Sequence, residues 1–114
     1  MATYNSLPVY KVCYDLTLEV FASSRNMQRD YRFTLGETMK KELISLITNI
    51  YRANSRQERK KLIGEARENL EVVRMLMRLT YELKQIPMNK FISANEKIES
   101  ISKQLTAWER SCKE

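Results

Sequence analysis

From Ser55 to Ile86 the chain has no proline, so roughly thirty residues can run as one helix about 45 Å long. Ser55 and Glu58 have the S-x-x-E form of a capping box, which satisfies the free N–H groups at a helix start. Pro87 stands where such a helix should stop. The expected helix is therefore 56–86. Its apolar residues Leu62, Ile63, Ala66, Leu70, Val73 and Met77 recur at helical spacing, and Leu76, Thr80 and Leu83 widen the face. Its cations line up as well. Arg56, Lys60, Arg67, Arg74 and Arg78 are spaced by four, seven, seven and four residues. At 3.6 residues per turn they fall within a wedge of about 40°. A core face and a straight basic stripe thus share one rod.

Two readings of the stripe are open. Glu65, Glu68, Glu71 and Glu82 offer local partners, and Glu71 reaches Arg67, Arg74 and Arg78 at helical spacing, which makes a solvated, partly paired face. The other reading is an anion-binding stripe. It is favoured because four of the five members are Arg, whose planar fork suits phosphate.

Composition narrows the fold. Gly and Pro number only two each among 114 residues, which favours an all-helical chain of one domain, residues 1–114. Lys and Arg exceed Asp and Glu by 20 to 14, a surplus that suits a polyanionic partner. Nucleic acid comes first and an anionic membrane second. The absence of histidine excludes Ser-His-Asp and Cys-His catalysis and His-ligated zinc. Acid pairs such as Glu65/Glu68 and Glu96/Glu99 read as solvated helix charges, and no metal-spaced carboxylates or catalytic constellation stand out. The expectation is no enzyme, no cofactor and no metal. Two cysteines do not make a disulfide framework, which suits a reducing cytoplasm. Neither a signal segment nor a membrane-spanning run is visible, so a soluble protein is expected.

Along the chain, Ser6 and Pro8 suit the start of a first helix over about 7–24. Val9, Cys13, Leu16 and Val20 form its core stripe. Tyr14, Leu18 and Phe21 form a second apolar stripe, either a wide contact with its own bundle or a subunit interface. The connection from about Ser23 to Thr34 mixes Arg29 and Arg32 with the aromatic Tyr31. It reads as an ordinary exposed loop or as a place for phosphate contact and base stacking. A second helix follows, from Asp30 or Thr34 to Ala53. Its heptad-like seam is Leu35, Met39, Leu43, Leu46, Ile50 and Ala53, and Lys40, Lys41 and Arg52 face away. Gly36 lowers its helix propensity unless a close neighbour needs the room. The fourth helix, about 89–112, has the cleanest seam: Phe91, Ala94, Ile98, Ile101, Leu105, Trp108 and Cys112. Four amphipathic helices with short turns predict an up-down-up-down four-helix bundle. In that topology Cys13 and Cys112 lie toward one end, as two inert thiols.

Five segments carry a resemblance. They are Leu7-Pro8-Val9-Tyr10-Lys11 with Tyr14-Asp15-Leu16; Arg29-Asp30-Tyr31-Arg32-Phe33-Thr34-Leu35-Gly36; Ile50-Tyr51-Arg52-Ala53-Asn54; Val73-Arg74-Met75-Leu76-Met77-Arg78-Leu79; and Gln104-Leu105-Thr106-Ala107-Trp108. In order and spacing they resemble the accessory variability determinant family of diversity-generating retroelements. A wider likeness is to the four-helix-bundle proteins of intervening sequences in bacterial large-subunit ribosomal RNA genes. The resemblance implies a homopentameric basic barrel that binds RNA or DNA and a reverse transcriptase in mutagenic copying. It also implies that Arg74 and Arg78 belong to the binding surface. The family usually has glycines before its tryptophan, where Ser102, Thr106 and Ala107 stand here.

The nucleic-acid-binding set expected is thus Arg56, Lys60, Arg67, Arg74 and Arg78, supported by Arg29, Arg32 and Arg52, in a non-enzymatic adaptor. Tyr14, Leu18 and Phe21 are the expected oligomer or partner interface. A protein–protein module with no nucleic-acid role is the alternative.

Overall fold

The chain's long apolar stripes pair off into antiparallel neighbours. The computed structural model describes residues 6–55 and 57–113. Among them it is all-α, with four helices and no strand. Helix α1 is Pro8–Ser24. Helix α2 opens with a turn at Arg29–Tyr31, passes through a π-helical segment at Arg32–Gly36, and continues as Glu37–Ser55. Helices α3 and α4 are Arg59–Glu82 and Met88–Ser111. Each helix packs on the next, and α1 closes the square against α4. The molecule measures 44 × 22 × 20 Å, and α3 alone spans about 36 Å of that length at 1.5 Å per residue.

The core follows the sequence stripes closely. Val9, Cys13, Leu16 and Val20 of α1 are buried, as are Met39, Leu43, Leu46, Ile50 and Ala53 of α2. Ile63, Ala66, Leu70, Val73, Leu76, Met77 and Thr80 of α3 join them, with Ala94, Ile98, Ile101 and Leu105 of α4. Phe91, Trp108 and Cys112 continue the α4 seam only half-buried. Leu62 is likewise half-buried, and Leu83 is exposed rather than part of the face.

Leu35 packs on the core at the start of the α2 seam but is only half-buried, where the helix changes its winding. The Thr34 hydroxyl donates to the carbonyl of Asp30 at 2.8 Å, competing with the backbone ladder. The helix there is π-wound, which adds one residue to a turn and shifts the phase. Gly36 is buried and Leu35 is left half-buried. A Cβ at Gly36 would lie 3.5 Å from the Ser24 side chain and 3.6 Å from the Met27 sulfur, both ordinary contacts. Close approach therefore does not demand glycine here.

Three expected helix ends need correction. Leu7, not Ser6, occupies the N-cap position of α1, and Pro8 begins it. The Ser55/Glu58 capping box does not form, because α2 runs on through Asn54 and Ser55 and leaves Ser55 as its last residue. Helix α3 then starts at Arg59, with no side-chain cap from Glu58. Arg59 works backwards instead, its guanidinium donating to the carbonyls of Ala53 at 2.8 Å and Asn54 at 3.4 Å. These are orphan acceptors of the α2 terminus, which a cation also suits electrostatically.

At its other end α3 stops at Glu82, ahead of Pro87. The N–H of Gln85 donates to the carbonyl of Thr80 at 3.0 Å, and that of Lys84 to Tyr81 at 2.9 Å. This pair of bonds is a Schellman turn. Lys84 sits in it at φ 62°, the left-handed position usually held by glycine. Proline is not the terminator; the turn is. Across it, the rings of Tyr81 and Phe91 stack at 4.5 Å and pin the end of α3 to the start of α4.

Both cysteines are free. Burial pushes the Cys13 thiol up to about 12, partly offset by a Thr17 hydrogen bond. It is therefore protonated and unreactive at neutral pH.

Two measurements check these assignments. Lys84→Gly removes left-handed strain and should stabilise the bundle by about 0.5–1 kcal/mol in urea denaturation, whereas Lys84→Val should destabilise it. A thiol reagent at pH 8 should label half-buried Cys112 in the folded protein and reach Cys13 only on unfolding.

Candidate nucleic-acid interface

The rotation that buries Leu70 and Val73 turns one flank of α3 toward α4, and the basic row lies on that flank. Lys60, Arg67, Arg74 and Arg78 stand along it; Arg56 lies outside the described residues. The expectation of an unneutralised stripe is not met. Arg67 is ion-paired with Glu109. Arg74 is held twice, by Glu99 of α4 and by Glu71 one turn away at 3.2 Å. Arg78 meets Glu82 at 2.9 Å. Glu71 binds Arg74 alone of the three arginines it could reach by spacing. The cross-helix partners Glu99 and Glu109 carried no signal in the sequence, because only the antiparallel register of α3 and α4 brings them opposite Arg74 and Arg67.

Exposure varies along the row: the side chains of Arg67 and Glu109 are 45% and 22% exposed, and that of Arg74 is 31% exposed. The Arg78 side chain is 77% exposed, and that of Glu99 is 46% exposed. Ion pairs in such settings contribute about 0–1 kcal/mol each and weaken with salt. The arrangement is thus a row of guanidiniums held in place by carboxylates that water, and any competing anion, can reach. A shallow groove beside it is lined by Gly64, Arg67, Glu71, Ser102 and Glu109.

The supporting cations do not join this row. Arg29 and Arg32 lie at the start of α2, at the bundle end where the α1–α2 connection meets the α3–α4 turn. Arg52 is exposed at the opposite end of α2, beside Ser55, Gln57, Glu58 and Leu62. Of the expected interface residues, Tyr14 and Leu18 are 46% and 56% exposed, while Phe21 is half-buried with the Lys40 ammonium 5.4 Å from its ring centroid. That contact sets α1 beside α2. Ile44 and Tyr51 share the face of Lys40 by helical spacing and are also exposed. Together with Tyr14 and Leu18 they form an apolar outer surface on the α1–α2 pair.

Among the described residues no cluster of His, Cys, Asp or Glu is arranged to hold a metal, and no helix is long and apolar enough to cross a membrane.

The bundle thus carries an arginine row on one flank and exposed apolar side chains on another. The chain matches the bAvd-like family over residues 9–112, nearly its whole length, and it belongs to that family. Membership places it in an accessory role in a retroelement setting. No curated protein matches the chain.

If the ion pairs on α3 are as peripheral as their exposure indicates, Arg78→Ala should change stability by less than about 0.5 kcal/mol, and Arg74→Ala by less than about 1 kcal/mol. Urea denaturation at low and high salt checks both.

Proposed function

We propose that this chain is a non-enzymatic adaptor that binds RNA or DNA through phosphates and partners a retroelement reverse transcriptase in mutagenic copying. The carrying observation is the row of Arg67, Arg74 and Arg78 on one flank of α3, each held by an exchangeable carboxylate. A backbone phosphodiester offers the guanidinium fork the same bidentate geometry as carboxylate and the same single charge, repeated along the strand. A polyanion entering the groove would displace Glu99 and Glu82 into water at little cost, since each pair contributes so little. Lys60, Arg56 and Arg52 would extend the contact toward the far end of α2 and α3. Binding of this kind is largely sequence-independent, and log affinity falls by about 0.7–0.9 per log unit of salt for each phosphate engaged.

Assembly belongs to the same proposal. The family resemblance implies a homopentamer, and the exposed Tyr14, Leu18, Ile44 and Tyr51 supply an apolar surface for such contacts. Repetition of a weak arginine row around a ring raises overall affinity without new contacts. If the α1–α2 surface holds copies together, Leu18→Asp should shift the protein toward monomer in sedimentation while its helical circular dichroism stays unchanged. The alternative of a protein–protein module without nucleic-acid contact also uses this surface. It differs in predicting partner binding that salt does not weaken.

Two double variants test the nucleic-acid reading. Arg74→Ala with Arg78→Ala should weaken duplex or hybrid binding at least about tenfold at moderate salt, the loss expected for two phosphate contacts. Glu99→Gln with Glu109→Gln keeps shape but frees the guanidiniums, and should strengthen binding. Wild-type affinity in both variants would overturn the assignment.

A further inference from the structure

The bundle end away from Arg52 holds cations with no ion pair among the described residues, and an exposed aromatic ring with two guanidiniums beside it. The backbone N–H of Gln28 donates to Gln85 Oε1 at 2.8 Å, which fastens the α1–α2 connection to the α3–α4 turn. Arg25 and Arg29 stand on the first of these segments, Lys84 and Lys90 on the second. All four are exposed and without an ion pair among the described residues. Two of the carboxylates at this end are already engaged, Glu37 by Lys40 at 2.8 Å and Glu82 by Arg78 at 2.9 Å. This end therefore carries part of the charge surplus that the α3 row does not.

Phe33 lies in the π-helical segment and is 58% exposed. The guanidinium carbons of Arg29 and Arg32 stand 5.9 and 5.2 Å from its ring centroid. The Arg32 Nε beside it is buried with no hydrogen-bond partner. An exposed phenyl ring flanked by guanidiniums contributes little to folding. It offers an unpaired base a face to stack on, with cations placed for the adjoining phosphates. A base inside a duplex is already stacked and cannot use it.

We propose that this bundle end binds single-stranded nucleic acid, with one unpaired base stacked on Phe33 and neighbouring phosphates on Arg25, Arg29, Lys84 and Lys90. The proposal rests on the nucleic-acid reading above but uses residues outside the α3 row. It would give the adaptor separate grips on paired and unpaired stretches of one template.

The full-length chain can be titrated with an oligothymidylate and with a blunt duplex of equal length. Phe33→Leu should lower oligothymidylate affinity about five- to a hundredfold, the range for losing one stacked base, and leave duplex affinity within about twofold. Phe33→Trp should retain binding, with emission quenched by the oligothymidylate but not by the duplex. Wild-type oligothymidylate affinity in Phe33→Leu, with duplex binding still lost in the Arg74/Arg78 double variant, would overturn this inference alone. Failure of the wild-type chain to bind either probe would overturn it together with the proposed function.

Discussion

Burial of the apolar face of α3 decides where everything else on this molecule points. Ile63, Ala66, Leu70, Val73 and Met77 are removed from water almost completely, and each large side chain so buried contributes about 1.5–3 kcal/mol. The ion pairs beside them contribute about a third of that or less. The core therefore fixes the rotation of α3, and the arginines follow. Being about a quarter-turn from the core face, they come to lie along the seam with α4, opposite its glutamates. Their pairing is a consequence of packing, not a cause of it.

That ordering explains what could be read from the sequence. Period and composition were enough for four helices and for most of the core, because a residue such as Leu46 or Ile98 is buried by its own repeat wherever its helix docks. The ends were less legible. Ser55 and Glu58 have the right spacing for a cap, yet α2 gains more by continuing through Asn54, which is itself buried. Pro87 looked like a terminator, but a Schellman turn around Lys84 ends the helix earlier. The π-helical segment at Arg32–Gly36 had no counterpart in the periodicity.

The candidate site was legible only in part. The alignment of Arg67, Arg74 and Arg78 is a local property and survives folding. The local partners Glu71 and Glu82 could be read from helical spacing, whereas Glu99 and Glu109 belong to another helix and no spacing within α3 announces them. Nor could the sequence show that the two connections meet at one bundle end, which gathers Arg25, Arg29, Lys84 and Lys90 from positions far apart in the chain. A net surplus was visible from the start; its place was not. Membership of the bAvd-like family supplies the retroelement setting; the proposed contacts with nucleic acid would draw on both basic regions.

Nucleic-acid binding as proposed requires carboxylate to give way to phosphate along α3. Arginine side-chain Nε–Hε and glutamate carboxyl resonances report this exchange directly in an NMR titration with a nucleic-acid duplex. The Nε–Hε signals of Arg67, Arg74 and Arg78 should shift together, while the carboxyl carbons of Glu99 and Glu109 move toward the position of a free carboxylate. Saturating duplex binding with those signals unmoved would contradict it.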